Sequence, residues 1–328
     1  MLQVAMLSKW HVHAEGYARE LAAMDDVRLT AVWDEDPERG AAWAKVLDVP
    51  FEPSLGAILG RDDVDAVACD APSNMHPEVL VAAANAGKHV FTEKVMALTV
   101  AECNQISDAV RKAGVKFGIS FPYRTRPINL YAHKALEEGL LGALTFFRVR
   151  VAHNGASGEW LPPHFWEPET TGGGAMMDLG AHPMYLSRWV GGQPKKISST
   201  FTRMTDHELE DNAVSVIEFE GGVIGVSETS FMSTFSPFTF ELSGTEGCLI
   251  AGGPDENVRI RSNKLGGRWT TIEELPEALP SPIRLWVEGV LYDKPIPFGL
   301  EEGTQLTELM EYAYKSYREG CQVTIPPR

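Results

Sequence analysis

Two hydrophobic periods alternate along the first 120 residues. Short apolar runs, which are typical of buried strands, are separated by segments in which apolar residues recur three and four positions apart, as on one face of a helix. This succession predicts βαβ units and a parallel sheet. The predicted strands are Leu2–Leu7, Arg28–Trp33, Val64–Cys69, His89–Thr92 and Lys116–Ser120, and the predicted helices are Ala14–Met24, Pro37–Leu47, Pro77–Ala86 and Thr99–Ala113.

The pattern changes after Phe121-Pro122. A helix is predicted over Ile128–Glu138 and another over Gln305–Tyr317, with strand-like segments between them. Glu220-Gly221-Gly222 and the segment Gly244–Gly247 are typical of tight turns, and strands joined by tight turns are antiparallel. The predicted strands of this half are Thr145–Ala152, Ile197–Met204, Ala213–Phe219, Val223–Phe231, Phe238–Ser243, Cys248–Ala251 and Val258–Arg261.

The chain is long enough for two domains, since 328 residues exceed the usual size of one compact core. We predict an α/β domain with a parallel sheet over residues 1–121. A second domain, over residues 122–328, is predicted to be α+β with a large, mostly antiparallel open sheet.

Composition excludes several classes of partner. The 45 acidic and 29 basic side chains leave a formal net charge of −16, which repels a nucleic-acid backbone. The four cysteines form no C-x-x-C pair, which argues against a disulfide framework or a structural zinc site and favours a reducing cytoplasm. No apolar run approaches the roughly 18 residues of a membrane span, and Leu2–Leu7 lacks the basic flank of a signal peptide. We therefore expect a cytoplasmic protein with neither nucleic-acid nor membrane partners.

A parallel sheet that begins at the N-terminus raises the question of dinucleotide binding. Such sites carry G-x-G-x-x-G after the first strand, and the glycines let the backbone approach a pyrophosphate. Here the turn has no glycine and places Ser8, Lys9, Trp10 and His11 after the strand. The Ser8 hydroxyl and the Lys9 ammonium group are then left to bind the phosphates.

Asp34 ends the second predicted strand, roughly 20 residues past that turn. An acidic residue at this point hydrogen-bonds the adenosine ribose and disfavours a 2′-phosphate, which favours NAD while leaving NADP possible. Alternatively, Asp34 caps the next helix from the acidic turn Asp34-Glu35-Asp36.

Three later segments resemble the motifs of one family. They are Ala71-Pro72-Ser73-Asn74-Met75-His76, Gly87-Lys88-His89-Val90-Phe91-Thr92-Glu93-Lys94 and Gly172-Gly-Gly-Ala-Met-Met-Asp178-Leu-Gly-Ala-His182. They are similar to T-P-N-x-x-H, G-K-H-V-x-x-E-K-P and G-G-G-x-x-x-D-x-G-x-H of the glucose-fructose oxidoreductase / inositol dehydrogenase / MocA family. The order and spacing agree across nearly the whole chain, although Val95 replaces the proline of the second motif.

The resemblance implies a Rossmann-type dinucleotide-binding domain followed by a domain for substrate binding and oligomerisation. The implied activity is an NAD(P)-dependent oxidation or reduction of a secondary hydroxyl or ketone on a sugar, polyol or related small molecule. Homodimers or homotetramers formed through the open sheet are also implied. The predicted cofactor-binding residues are Ser8, Lys9, Trp10, His11, Asp34, Pro72, Ser73, Asn74, His76, Glu93, Lys94 and Arg124.

The predicted catalytic residues are Lys94, Asp178 and His182. Hydride loss from a carbinol carbon requires a base for the hydroxyl proton, and His182 is that base because imidazole titrates near neutral pH. Lys94 is predicted to stabilise the developing alkoxide, with Glu93 positioning it or the nicotinamide ribose. Substrate would then lie between Lys94 and the other two residues. Alternatively, Lys94 is a solvated surface lysine and Asp178 and His182 form a buried structural hydrogen bond.

The segment around His182 is predicted to be a helix over Ala175–Val190. Asp178 then shares a face with His182 and orients it or binds a substrate hydroxyl. Because Pro183 disrupts the hydrogen-bond ladder of a helix interior, we expect a kink just after His182.

Aromatic residues are predicted to line the substrate site. Trp160, His164 and Trp166 precede the glycine run and are expected to stack on a sugar ring or, alternatively, to pack beneath a loop. Tyr123 is expected at the substrate. Arg124, beside it, faces the cofactor or substrate or forms an interdomain salt bridge.

Two rival functions remain open. His11 and His13 form an H-x-H after a first strand, similar to the zinc site of amidohydrolase-type barrels, but the chain abandons β/α alternation after about residue 122. No metal ligand is therefore among the predicted site residues. The second rival keeps the fold and uses a tightly held cofactor for redox-neutral elimination or glycoside cleavage, or only binds sugars, and it depends on the missing glycines.

Overall fold

The computed structural model describes residues 1–327 and divides into two compact units. The first unit contains residues 1–120 and 280–307, and the second contains residues 121–279 and those from 308 onward. The predicted second domain ran without interruption from residue 122. The structure instead assigns the segment 280–307 to the first unit.

The first unit is built on a five-stranded sheet in which every pair of neighbouring strands is parallel, in the order β2-β1-β3-β4-β5. From β1, the chain adds β2 on one side of the sheet and β3, β4 and β5 on the other. Open α/β sheets bind ligands at such a switch point. The strands are β1 Leu2–Leu7, β2 Val27–Trp33, β3 Ala66–Cys69, β4 His89–Thr92 and β5 Phe117–Ile119. The helices of this part of the chain are α1 Ala14–Ala22, α2 Pro37–Leu47, α3 Leu55–Leu59, α4 His76–Asn85 and α5 Val100–Ala113.

Local sequence determines where several of these helices begin and end. The Asp36 side chain accepts from two backbone amides of the first turn of α2, with Pro37 at the first helical position. Thr99 and Glu102 form a capping box at α5, and Gly114 ends that helix in the left-handed conformation. The predicted helices of the first 120 residues are therefore confirmed to within two residues at each end.

A helix that the hydrophobic pattern did not predict, α9 Pro282–Tyr292, completes the first unit. Its Trp286 and Val287 are fully buried in the same core cluster as Val4 and Phe91 of the sheet. This apolar contact explains why the segment belongs with the parallel sheet although it is distant in sequence.

The second unit contains a nine-stranded sheet in the order β13-β12-β11-β10-β6-β9-β8-β7-β14. Neighbouring strands are antiparallel except β6 and β9, which are parallel, so the predicted mostly antiparallel sheet is confirmed. The strands are β6 Leu144–Ala152, β7 Pro194–Thr202, β8 Asn212–Phe219, β9 Ile224–Ser230, β10 Thr239–Gly244, β11 Gly247–Gly252, β12 Asn257–Ser262, β13 Trp269–Thr271 and β14 Val323–Thr324. The remaining helices of the chain are α6 Pro127–Glu137, α7 Pro168–Thr171, α8 Ala181–Gly191 and α10 Leu300–Glu319.

One face of this sheet is buried and the other is open. Residues such as Phe147, Val149 and Ile217 are fully buried, while their neighbours Phe146 and Val216 on the opposite face are about 40% exposed. α8 packs against β6 and β9. Among residues 1–327, no helix has both the length and the apolar character needed to span a bilayer.

Candidate active site

The carboxyl ends of the parallel strands bring the predicted residues of the first unit to one edge of the sheet. Ser8 follows β1, Asp34 follows β2, and Asp70 follows β3. Glu93 and Lys94 follow β4 directly. Because all five strands run in the same direction, these ends lie side by side, at the edge where α/β proteins bind ligands.

The backbone amides of the glycine-free turn after β1 donate hydrogen bonds to acceptors within the protein. Ser8 has a φ of 71°, a left-handed conformation that usually requires glycine, so the serine keeps the sharp bend without the glycine. The amide of Lys9 donates to Asp34 Oδ2 at 2.9 Å, that of Trp10 to Ser8 Oγ at 3.0 Å, and that of His11 to the Asp70 carbonyl at 3.2 Å. Three successive amides are therefore committed to acceptors of the protein.

Asp34 is buried and holds this turn in place. Its two carboxylate oxygens accept from the amides of Lys9 and Asp36 and form a bidentate ion pair with Arg39, with Nε 3.0 Å from Oδ2 and Nη2 2.5 Å from Oδ1. A carboxylate has about four acceptor positions, and all four are used here. The side chain that caps α2 is that of Asp36, so the alternative interpretation of Asp34 as the cap is wrong.

These observations define how a dinucleotide fits the first unit. The parallel sheet, its switch point beside β1 and the left-handed bend at Ser8 fit a dinucleotide at this edge. The amide cradle for the pyrophosphate does not have its usual form, because the turn's amides and the Ser8 hydroxyl bond to the protein. The Lys9 ammonium group is partly exposed, 2.6 Å from Glu15, and is the cation that this turn offers to a phosphate.

Glu93 and Lys94 lie buried at the centre of this edge. The Lys94 side chain is 1% exposed and its Nζ lies 3.9 Å from Glu93 Oε1, so the interpretation of Lys94 as a solvated surface lysine is wrong. Glu93 Oε2 accepts a short hydrogen bond from the Tyr17 hydroxyl and lies 3.4 Å from Nδ1 of His13. Tyr17 Oη is in turn 2.5 Å from the Ser120 hydroxyl. Tyr17 was not predicted as a site residue, because no motif surrounds it in the sequence.

Electrostatics keep Glu93 ionised. Burial by itself would raise its pKa, but the charge and hydrogen bond of His13, with the charges of His11 and Lys94, outweigh burial and hold the pKa below the ordinary value. Asp70 is the opposite case, because burial and the nearby charge of Glu93 raise its pKa well above the ordinary value. Within residues 1–327, neither carboxylate oxygen of Asp70 has a hydrogen-bond partner. The surroundings therefore favour the charged form of Glu93 and the neutral form of Asp70.

His76 connects the loops that follow β3 and β4. Its Nδ1 lies 2.8 Å from the carbonyl oxygen of Val95 and its Nε2 lies 3.0 Å from that of Ala71. Burial lowers the pKa of His76 more than these carbonyls raise it. The neutral ring can then donate to one carbonyl at a time, and it ties the backbone next to Lys94 to the end of β3. Pro72, Ser73 and Asn74 form the short turn just before α4, with Ser73 buried.

In the second unit, the glycine run is positioned by two residues that the sequence analysis did not identify. Glu210 Oε1 accepts from the amides of Gly174 at 2.9 Å and Met176 at 3.1 Å and from the Tyr314 hydroxyl at 2.5 Å. A Cβ on Gly173 would lie 1.9 Å from Tyr314 Oη, and one on Gly174 would lie 2.1 Å from the Glu210 carbonyl oxygen. The glycines are therefore required by the close approach of Glu210 and Tyr314.

The predicted helix over Ala175–Val190 is wrong in its first part. The segment from Ala175 to Gly180 is a series of turns, and α8 begins only at Ala181. Pro183 consequently lies in the first helical turn, where a missing N–H breaks no intrahelical bond, so the expected kink after His182 does not arise. Asp178 precedes the helix and donates its amide to the Gly174 carbonyl at 3.0 Å.

His182 is buried in an aromatic group at the start of α8. Its Nδ1 lies 3.0 Å from the Tyr185 hydroxyl, which also accepts the amide N–H of Tyr123 at 3.0 Å. The ring of Tyr123 packs against His182 with centroids 4.7 Å apart, and Phe121 stacks on Tyr185. The structure thus brings together two predicted site residues, Tyr123 and His182, through a third, Tyr185, that the sequence analysis missed.

The other predicted residues of the second unit are spread over separate contacts. The Arg124 guanidinium lies 4.7 Å from the ring centroid of Trp189. Trp166 stacks on His207 at 3.9 Å, Trp160 packs beside His153 at 4.7 Å, and His164 contacts Phe165. Trp160 is half exposed, whereas Trp166 packs against the buried cluster that contains Phe231. Trp160 therefore has the most surface left for a ligand of the three.

Comparison with protein families covers most of the chain. Residues 11–121 match a family model described as an oxidoreductase family with an NAD-binding Rossmann fold. Residues 129–250 match a model described as the GFO/IDH/MocA C-terminal domain. Both matches follow the order of the two units along the chain.

Individual relatives agree with these models. The chain is 32% identical to 1,5-anhydro-D-fructose reductase of Ensifer adhaerens over 230 residues, which are 68% of this chain and 67% of that protein. It is 24% identical to myo-inositol 2-dehydrogenase of Thermotoga maritima over 94% of both chains. Among solved structures, GenD2 from gentamicin A biosynthesis in complex with NAD is 25% identical, with a TM-score of 0.84 over 99% of this chain and 97% of that one. Levoglucosan dehydrogenase in complex with NADH superposes with a TM-score of 0.87 over the whole of both chains, and at 19% identity this likeness shows the fold.

Proposed function

Because the chain belongs to the GFO/IDH/MocA family of NAD-binding oxidoreductases, we propose that it oxidises a secondary hydroxyl, or reduces the corresponding ketone, of a sugar, polyol or related small molecule. The 1,5-anhydro-D-fructose reductase and the myo-inositol dehydrogenase act on ring-shaped polyhydroxylated compounds by name, which supports this substrate class. When bound, the nicotinamide ring accepts or donates the hydride.

The observation that carries the proposal is the buried Lys94 beside Glu93 at the carboxyl edge of the parallel sheet. An ammonium group that is 1% exposed gains little from solvent, so it stabilises negative charge on a substrate oxygen more strongly than a surface lysine would. The Tyr17 hydroxyl orients Glu93 by donating to its Oε2. The other carboxylate oxygen of Glu93, Oε1, forms the ion pair with the Lys94 ammonium group. We assign Lys94 to the reacting oxygen and Glu93 to the positioning of Lys94 or of the nicotinamide ribose.

His182 is assigned to the movement of the hydroxyl proton. Its Nδ1 is held by the Tyr185 hydroxyl at 3.0 Å, which fixes the ring and makes Nε2 the nitrogen that exchanges a proton with substrate. Asp178, next to the rigid glycine run, is assigned to a substrate hydroxyl. Tyr123 and Trp160 are the aromatic surfaces proposed for the sugar ring.

The cofactor is proposed to be NAD, with NADP less favoured. A 2′-phosphate would approach the turn after β2, where Asp34 and Glu35 place negative charge beside Arg39. Lys9 is proposed to contact the pyrophosphate in place of the committed amides.

The experiment that tests this function has two stages. Purified protein is titrated with NAD⁺, NADH, NADP⁺ and NADPH, and we expect NADH to bind more tightly than NADPH. A panel of sugars, inositols and anhydro sugars is then followed at the nicotinamide absorbance, where we expect turnover of at least one cyclic polyol. Dinucleotide binding with bond cleavage but no net absorbance change across the panel would favour the redox-neutral rival. Failure to bind any of the four dinucleotides would overturn the proposal.

We also propose that the protein is a homodimer or homotetramer that assembles through the open face of the nine-stranded sheet. Phe146 lies directly opposite Ile224, and Val216 lies opposite Val226, in the register of the sheet. Phe146, Val216 and Ile224 are each 40–44% exposed. Such a set of neighbouring apolar side chains is typical of a surface that a second copy covers.

This proposal predicts the effect of charge on that face. The double variant Val216→Lys with Ile224→Lys should elute as a monomer, because two lysines of each copy would be buried in the interface without partners. Light scattering after gel filtration measures the mass. Val46→Lys changes an even more exposed apolar residue, on α2 of the first unit, and should leave the mass unchanged. An oligomer of unaltered mass in the double variant would contradict the assignment of the interface to this face.

A cytoplasmic location is the last part of the proposal. Within residues 1–327, none of the four cysteines forms a disulfide, which is typical of proteins from reducing compartments.

A further inference from the structure

His11, His13 and Glu93 form a cluster, and the proposed hydride transfer assigns no role to its two histidines. One ligand atom from each side chain lies within 4.8 Å of the other two. His11 and Glu93 are buried, whereas the His13 side chain is 45% exposed. The cluster therefore has two ligands within the protein and a third at its surface.

We propose that His11, His13 and Glu93 bind a divalent transition-metal ion, with Zn²⁺ as the ion that the donor set favours. Two imidazoles and one carboxylate are a ligand set of zinc sites, whereas Mg²⁺ and Ca²⁺ prefer oxygen ligands alone. The cluster shares His11 and Glu93 with the predicted cofactor-binding residues, so the metal titration below is made without dinucleotide.

The distances suit such an ion. Ligand atoms bound to tetrahedral zinc at about 2.1 Å lie about 3.4 Å from one another. Nδ1 of His13 and Oε2 of Glu93 already have this separation of 3.4 Å. The His11 ring lies beside the His13 ring with centroids 4.6 Å apart. Because the three ligand atoms lie within 4.8 Å of one another, each pair has to approach by at most about 1.4 Å to surround one ion.

The surroundings of Glu93 provide a second, separate indication of a cation. Its Oε1 is buried and has no hydrogen-bond partner among the residues described, with Lys94 Nζ 3.9 Å away. Buried carboxylate oxygens are normally satisfied, and a divalent ion bound by Glu93 would compensate the oxygen of that carboxylate that has no hydrogen bond.

The Tyr17 hydroxyl and the backbone of the turn act as outer supports of the site. Tyr17 donates to Glu93 Oε2 and fixes the orientation of that carboxylate. The His13 amide donates to Nδ1 of His11 at 3.2 Å, which is the long end of hydrogen-bond geometry, so an ion that takes this lone pair displaces a weak bond. With three protein ligands, a fourth position stays open on the exposed side of His13 for water or a ligand oxygen.

Direct metal titration tests the proposal without any assay of turnover. Protein in a Cys321→Ser background, which removes the exposed thiol, is stripped with a chelator and titrated with ZnCl₂ by calorimetry and with CoCl₂ by visible absorption. We expect one Zn²⁺ per chain and cobalt bands of a tetrahedral site with nitrogen and oxygen ligands. MgCl₂ should bind far more weakly than ZnCl₂.

Variants assign the ligands. His11→Ala and His13→Ala should each weaken Zn²⁺ binding on the order of 100-fold, and Tyr17→Phe on the order of 10-fold, because Tyr17 acts through Glu93. His133→Ala, a histidine of α6, is the matched control and should leave affinity unchanged. Each variant is first checked by thermal unfolding.

Equal Zn²⁺ affinity in the His11→Ala/His13→Ala double variant and the parent would overturn the site, and so would the absence of binding to a folded parent. In either case the cluster is an ion pair between His13 and Glu93 that closes the turn after β1. The dinucleotide titration described above is a separate measurement, so failure of the metal site and failure of the oxidoreductase function are distinguishable.

Discussion

Replacement of Lys94 by glutamine is expected to lower kcat/KM for the best substrate of the polyol panel by about 10²- to 10³-fold, the usual cost of removing one preorganised donor. Lys94 is buried, so water cannot replace the lost ammonium group at low cost. Dinucleotide affinity should change much less than turnover, because the proposed contact of Lys94 is with the reacting oxygen. Stopped-flow and steady-state absorbance at the nicotinamide band measure both quantities.

One control variant and two further variants test this interpretation of Lys94. Lys112→Gln removes an exposed lysine from α5 and should leave the rate unchanged. Lys94→Arg keeps the charge, but its planar fork does not reproduce a compact ammonium group, so we expect partial activity. Glu93→Gln removes the charge that faces Lys94 at 3.9 Å and should also reduce turnover. A folded Lys94→Gln protein with nearly wild-type turnover would remove Lys94 from the reaction.

The parallel half was predictable from sequence because its elements have strong local signals. β1 and β4 were predicted at their observed bounds, since each is a short apolar run that ends at a polar turn. α3, with five residues, was missed because it is too short to show a helical period. α9 was missed because prolines at 280, 282 and 295 surround it, although Pro282 is at a helix start and is compatible with the helix.

The candidate site was predictable in its motif residues and not in their supports. Lys94 and His182 belong to segments with a known pattern, whereas Glu210 and Tyr314 reach the glycine run from positions 36 and more than 100 residues further along the chain. No local period or motif indicates such contacts. Asp34 is a similar case. Its position after β2 predicts ribose binding, but the sequence does not indicate the four hydrogen bonds that its carboxylate accepts from the folded protein.

The start of α8 shows how tertiary contacts override a helical pattern. The glycine run is held by Glu210 through the amides of Gly174 and Met176, which fixes the segment up to Gly180 as turns. The helix can begin only after this anchor ends. His182 consequently lies in the first turn of α8 instead of in the middle of a longer helix.

That location determines the second large effect. His182→Ala is expected to lower turnover by about 10²- to 10⁴-fold in the oxidation direction, the usual contribution of a positioned general base. The reason is that the Tyr185 hydroxyl fixes Nδ1 of His182, and Nε2 is the nitrogen proposed to take the substrate proton. The acidic limb of the pH–rate profile should disappear in the alanine variant, a change that a purely structural histidine would not produce.

Tyr185→Phe distinguishes the role of the His182 imidazole from that of the hydroxyl that positions it. This variant removes the hydroxyl that lies 3.0 Å from His182 Nδ1 and also accepts the Tyr123 amide, while it keeps the aromatic stack with Phe121. We expect a smaller loss than for His182→Ala and a displaced acidic limb, because the imidazole remains but its orientation and proton affinity change. His133→Gln serves as the histidine control. If His182→Ala and Tyr185→Phe both retain the wild-type rate and pH profile, the proton is taken by another group and the assignment of His182 fails.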